Sequence, residues 1–219
     1  MKLSDGTIAV LKSFSQINPS IKITPGNTLA TISPLKTLLA KATIEDTFES
    51  GFSIYDLSRF LGILSLFDAP EIEIRSSDLV IKGGDKKVVY RFCDENLFVA
   101  APAKELNFPE PEVTFELSPE ALGTVLKATG ILQLPEIAIV GEDGKLYVRA
   151  VNSKDVGSDE FNIAIGDSDH TFTVVFKPEY LSKLVSTKYK VEVSSKKISR
   201  FTSENSTYWI ATESNSTFA

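Results

Sequence analysis

Residues 54–66 read Ile54-Tyr55-Asp56-Leu57-Ser58-Arg59-Phe60-Leu61-Gly62-Ile63-Leu64-Ser65-Leu66. Leu57, Phe60, Leu61 and Leu64 fall at i, i+3, i+4 and i+7, the spacing that gathers apolar side chains on one face of an α-helix. The same frame recurs elsewhere in the chain. Thr7-x-x-Val10-Leu11, Leu122-x-x-Val125-Leu126 and Leu181-x-x-Leu184-Val185 repeat it at intervals of about 50 to 65 residues, with Thr7 an imperfect first member. Ser118-Pro119-Glu120 supplies a capping serine, a proline suited to the first helical position and an acid near the positive end of the dipole. Lys177-Pro178-Glu179 repeats the proline and the acid without the serine.

Outward from each helix the period changes from 3.6 to 2. Glu71-Ile72-Glu73-Ile74-Arg75, Leu146-Tyr147-Val148-Arg149-Ala150 and Lys190-Val191-Glu192-Val193-Ser194 alternate apolar and polar, which predicts strands with one buried face. Pro25-Gly26-Asn27, Gly83-Gly84-Asp85 and Glu142-Asp143-Gly144 supply residues that tolerate positive φ, as tight hairpins require. The unit is therefore one helix followed by antiparallel strands, used four times. Pro102, Pro109 and Pro111 crowd the stretch from Ala101 to Pro111, the mark of an extended connector. The expected fold is α+β. Two similar domains, 1–108 and 109–219, each pack two helices on antiparallel sheets.

With 219 residues, 42% of them hydrophobic, the chain can bury a core without staples. Its single cysteine, Cys93, rules out an internal disulfide and a Cys-rich zinc site. His170, the only histidine, excludes sites that need two imidazoles, and no apolar run reaches the ~18 residues of a membrane helix. Met1-Lys2-Leu3-Ser4-Asp5 does not open a signal peptide, so an intracellular protein without membrane association is expected.

Asp167-Ser168-Asp169-His170-Thr171 holds triad residue types, but adjacency on one loop cannot supply triad geometry. Asp155, Asp159 and Glu160 lack the ligand order of a calcium loop, and Gly83-Gly84 lacks phosphate-loop spacing and opens no helix. Asn205-Ser206-Thr207 and Asn215-Ser216-Thr217 are glycosylation acceptors in form only. No catalytic residue, metal site or cofactor is expected. The chain reads as a non-enzyme.

The net charge of −6 argues against a uniformly nucleic-acid-binding surface. The helices depart from that balance. Lys12 and Lys127 lie five residues after their anchors, and Arg59 and Lys183 lie two after theirs. Offsets of two and five point to nearly the same helix face. Acids occur only at or before the first turns (Asp5, Asp56, Glu120, Glu179), where the dipole accounts for them. A basic track on an acidic body suits phosphate contact with duplex nucleic acid, and too few aromatics share those faces to stack single-stranded bases. Lys188, beyond Lys183, is counted in the same DNA-facing helix set. Trp209 in Tyr208-Trp209-Ile210-Ala211 reads as a terminal strand residue, or as a wall of a partner-peptide pocket near the connector; Phe108 on the connector is the similar case.

The whole chain resembles the sliding clamps of the T-even-like bacteriophages. The likeness is carried by Met1-Lys2-Leu3-Ser4, Leu11-Lys12, Ile17-Asn18, Ile54-Tyr55-Asp56-Leu57 and Phe60-Leu61-Gly62-Ile63-Leu64-Ser65-Leu66, and more loosely by Ile137-Ala138-Ile139 and Gly144-Lys145-Leu146. It implies the DNA-clamp fold and a subunit that trimerises head to tail around duplex DNA, helices lining the hole. It also implies a processivity factor that tethers the phage DNA polymerase, is opened by an ATP-driven clamp loader, and in some relatives serves late transcription. The compartment it implies is the cytoplasm of the infected bacterial host. The stretch from Asp85 to Glu95 and the C-terminal sixty residues depart from the family pattern. The rival reading is a β-rich virion structural protein, which has no need of basic helices in register.

Overall fold

Ser4, Asp56 and Ser118 each fold a side-chain oxygen over the turn that follows. The N–H of Thr7 donates to Ser4 Oγ at 3.2 Å, that of Arg59 to Asp56 Oδ1 at 2.8 Å, and that of Ala121 to Ser118 Oγ at 3.1 Å. Each cap satisfies a donor that has no partner within the helix it opens. The helices are α1 (Asp5–Ser15), α2 (Leu57–Leu64) and α3 (Pro119–Leu132), the last closed by Gln133 in the left-handed region at φ 55°. The computed structural model describes residues 1–155 and 157–218, and the chain divides into two units, Met1–Glu105 and Leu106–Ala219.

The first unit runs α1, β1 (Ile21–Ile23), β2 (Gly26–Ile32), β3 (Leu38–Phe48), β4 (Phe52–Ile54), α2, β5 (Glu71–Ile74), β6 (Asp78–Gly83) and β7 (Lys86–Arg91), then a short 3-10 turn at Glu95–Leu97. β1 pairs with β4, β2 with β3, and β5-β6-β7 form a meander, all antiparallel. Because β1 pairs with β4, Pro25-Gly26 is not a hairpin tip. Gly26, at φ 116°, instead opens β2. α1 packs against α2 and β3, burying Leu11, Phe14, Leu57 and Phe60. The imperfect anchor Thr7 is fully buried, and its hydroxyl accepts a hydrogen bond from Ser4 Oγ at 3.1 Å. A β-branched residue with a satisfied hydroxyl serves there as a core residue.

The second unit runs β8 (Val113–Leu117), α3, β9 (Glu136–Glu142), β10 (Lys145–Val151), β11 (Phe161–Asp167), β12 (Phe172–Phe176), α4 (Pro178–Leu181), β13 (Tyr189–Ser194), β14 (Ile198–Thr202), β15 (Ser206–Ala211) and β16 (Thr217–Phe218). Strands pair in the order β11-β10-β9-β12-β16, and β8, β13, β14 and β15 pair in that order, all antiparallel. α3 packs over β9, β10 and β11 and against α4. The core gathers Val125, Ile137, Val174 and an edge-to-face set of Phe176, Phe201, Tyr189 and Tyr208. Asp143 at φ 51° and Gly144 at φ 75° make the two-residue turn between β9 and β10, whose right-handed twist suits paired strands. Gly141 has a steric reason: a Cβ there would clash with the His170 carbonyl oxygen and the Phe172 ring.

Two further expectations change. The fourth helical repeat is a single turn, α4, that ends at its anchor Leu181. Lys177 offers no side-chain cap, and the N–H of Lys183 donates to Tyr180 O at 3.2 Å, tightening the chain out of α geometry. Tyr189 Oη then donates to Val185 O at 2.8 Å and holds the continuation as a loop. The alternation along β13 also fails on its polar side, because Glu192 and Ser194 are buried along with Val191 and Val193.

Candidate nucleic-acid and peptide interfaces

The exposed positions of α1 and α3 form matching stripes. Asp5, Ala9 and Lys12 line one, and Glu120, Thr124 and Lys127 line the other, at i, i+4 and i+7. The buried sides carry Thr7, Leu11 and Phe14 in α1, and Leu122, Val125 and Thr129 in α3. In α2, Arg59 is exposed beside Ser58 and Gly62, opposite Leu57, Phe60 and Leu64. Each base thus stands on a solvent-facing stripe among small residues. The acids sit only in the first turns or at the cap, next to the unpaired N–H groups. A long cation among short neighbours can reach a phosphate without a wall of further contacts.

Lys183 and Lys188 are placed differently from the expectation that both sit on a helix. Lys183 is half-buried in the turn after α4. Lys188 immediately precedes β13, with Nζ 2.6 Å from Glu116 Oε2 on β8. The early end of α4 moves both off the helical frame. An open groove of about 750 Å³ between β11 and the start of α3 is lined by Pro119, Ala121, Ile163, Ile165, Glu116 and Lys188.

Phe108 and Trp209 flank one arginine. Arg200 of β14 is directly cross-strand from Trp209 on one side and from Glu192 on the other. Its guanidinium carbon lies 4.5 Å from the Phe108 ring centre. Arg200 Nε and Nη2 lie 2.8 Å and 2.7 Å from Glu192 Oε2, and Lys190 Nζ lies 3.2 Å from Glu192 Oε1. The buried carboxylate is therefore satisfied by two cations, and the triad keeps one net positive charge. Neither Arg200 nor Glu192 is identifiable from the sequence. In a Val-Glu-Val alternation the glutamate reads as solvent-facing, and only the cross-strand register reveals its partner.

The residues that superficially suggest chemistry are held apart from it. His170 is exposed, and its N–H donates to Ser168 Oγ at 3.2 Å as part of the turn into β12. Burial pushes the half-buried Cys93 thiol up, opposite to an activated thiolate. Among the described residues no group of three or more His, Cys, Asp or Glu could hold a metal ion. Gly84, at φ 56°, is the turn between β6 and β7.

Solved structures first define the class. The H. pylori beta clamp bound to a DNA ligase peptide superposes with a TM-score of 0.72 at 15% identity, over 98% of this chain and 65% of that one. The PCNA2–PCNA3 complex of Sulfolobus tokodaii gives 0.67 at 14% identity, over 97% and 99%. The fold is that of the DNA clamps. Residues 4–99 match the family model "DNA polymerase processivity factor", and residues 114–214 match "gp45 sliding clamp, C terminal". The sliding clamp of Vibrio phage KVP40 is 35% identical over 97% of this chain and 99% of that protein. Those of Escherichia phage RB69 and Enterobacteria phage T4 are 31% and 30% identical, each over 99% of both chains. The chain belongs to the family of phage sliding clamps, non-enzymatic processivity factors of DNA replication. The virion-component reading gives way to that membership.

Proposed function

We propose that three copies of this clamp join head to tail into a ring around duplex DNA and tether the phage DNA polymerase, in the cytoplasm of the infected host. The supporting observation is the matched exposure of Lys12 and Lys127 on α1 and α3, with Arg59 on α2, against an overall charge of −6. A closed ring needs no strong contact with DNA, since topology prevents escape. Sparse cations offset phosphate repulsion while leaving the ring free to slide. Lys183 and Lys188 face the same duplex from the loop after α4, with Glu116 tempering Lys188.

Ring closure would use the outermost strands β7 and β11, whose unpaired backbone groups seek partners. β7 carries Lys86, Lys87 and Arg91 and no acid, while Asp159, Glu160 and Asp167 bracket or end β11. This complementarity favours a heterologous contact, which closes a ring when the rotation permits. An ATP-driven loader opens that ring, and partner peptides, including those of late-transcription factors, dock beside Phe108 and Trp209.

Charge reversal tests the DNA-facing assignment. Replacing Lys12, Arg59 and Lys127 together by Glu should leave folding nearly unchanged, since exposed helix substitutions typically cost no more than ~0.5 kcal/mol each. Retention on DNA and processive synthesis should fall at least tenfold, most at low salt, where repulsion is least screened. Reversing the exposed Lys36, Lys196 and Lys197 in turns is the control. Lys190 is unsuitable as a control because it pairs with buried Glu192. Equal losses from both triple variants would refute the assignment of helices to the DNA side.

A further inference from the structure

We propose that a recess in the second unit, between one face of β9, β10 and β12 and the chain that joins β10 to β11, seats a lysine side chain of a protein partner. It lies on a different sheet from Arg200 and Trp209 and does not rest on the peptide reading there.

Alternation along the strands builds the floor. Ile137, Ile139 and Val174 are core residues, so their neighbours Ala138, Val140 and Val175 turn to the opposite face of the sheet. Those three form a separate buried apolar cluster, with Tyr147 and Val151 packed against it. Beside the cluster lies a recess of about 320 Å³, floored by Ala138, Val140 and Val151. That is the small end of the ~300–1,000 Å³ span of ligand sites, with room for a side chain or two and not for a helix.

The charges around the recess do not balance. Its wall holds one base, Arg149, and that base is committed. Nη1 and Nη2 donate to the two carboxylate oxygens of Glu142, and the guanidinium carbon lies 4.9 Å from the Tyr147 ring centre. The rim carries Asp155, Asp159 and Glu160, all exposed and none in an ion pair among the described residues. Lys154, the only base between β10 and β11, acts on Glu136 instead. Among the described residues no group of three acids is placed to hold a metal ion, so the unmet charge suits an organic cation. A lysine matches both halves of the recess. Its four-carbon stem lies along the apolar floor while the ammonium stays at the wet rim, as long cationic side chains do over apolar surface. The three ammonium donors turn to meet carboxylates from separate parts of the rim, whereas a guanidinium fork favours both oxygens of one carboxylate. The acids alone attract any cation; the floor selects the length of the stem.

Amide signals of the isotope-labelled full chain, followed during titration with a short neutral peptide carrying one lysine, test the seat. The Gly157 N–H donates to Asp155 Oδ1 at 3.0 Å, so its signal reports on the rim and should move to saturation. Asp155→Asn combined with Asp159→Asn keeps that acceptor and removes two charges. It should weaken binding about fivefold or more, each exposed pair contributing up to about a fivefold factor, while the thermal midpoint stays near wild type. A norleucine peptide keeps the stem without the charge, and a diaminobutyrate peptide keeps the charge on half the stem. Each should bind at least threefold more weakly than the lysine peptide. Diaminobutyrate binding as tightly as lysine would reduce the recess to an acidic patch and overturn the seat. Unchanged binding in the double variant would overturn the rim's part in it. Displacement of the peptide by an equal concentration of putrescine would reassign the recess to free amines and overturn the protein partner. A Gly157 signal that never moves would overturn the proposal outright, while the ring reading, tested by molar mass, would stand.

Discussion

Asp46, at the far end of β3, holds the start of the first helix from outside it. Its Oδ2 accepts from the N–H of Ser4, the capping residue, at 2.8 Å. Partial burial pushes the carboxyl up, but hydrogen bonds from Thr7, the Ser4 N–H and the Ser4 hydroxyl outweigh it, and the group ends below its ordinary value. The sign follows from linkage. A carboxylate depressed in the folded state contributes stability above its unfolded pKa, and that stability is lost as pH falls through the folded value. Asp46→Asn should therefore lose about 1 kcal/mol in urea unfolding at neutral pH and show a shallower decline below about pH 4. Glu73, held down to about 2 by Arg75 and Lys82, together with Glu112 and Glu136, keeps part of that decline in the variant. An unchanged acid slope would mean that Asp46 does not secure α1. The anchor role of Thr7 is legible in the repeat frame. The role of Asp46 is not, because nothing local in Glu45-Asp46-Thr47 marks which acid meets a helix cap 42 residues away.

At the scale of elements, the sequence reads best where local signals agree. Ser118-Pro119-Glu120 cap, start and polarise α3 in consecutive residues, and the helix forms there. Around Leu181 they disagree: the apolar frame continues, but the cap is missing and Val185-Ser186-Thr187 favours extended backbone. The helix stops at one turn, and the expected fourth basic helix residue becomes a loop lysine. β5, β10 and β13 were legible as strands from their alternation, but β7 and β11 and their edge status were not, since pairing order depends on contacts distant in sequence. That order leaves basic β7 and acid-bracketed β11 outermost. Lys87→Glu should weaken self-association several-fold by sedimentation, as should Glu160→Lys, within the range of about 0–1 kcal/mol per exposed ion pair. The double reversal should recover part of the loss. If neither single reversal changed association, a charge-guided contact between these edges would be wrong.

For the whole molecule, the proposed joining of three copies would turn a four-part repeat in one chain into a near-sixfold ring, two units from each. The two family models divide the chain in the same manner, one on residues 4–99 and one on 114–214. Each unit repeats the same scheme of a capped helix, antiparallel strands and a second helix. This scheme was readable because helix spacing, strand alternation and turn residues recur together. The Arg200–Glu192 pair was not, because it exists only once β13 and β14 are in register. A ring of finite size is the assembly expected of these oppositely charged edges. The most direct measurement is molar mass by light scattering over a rising series of protein concentrations. The mass should climb to three times that of the chain and stop there. A plateau at twice the chain mass, or a mass that keeps rising without limit, would contradict the closed three-subunit clamp.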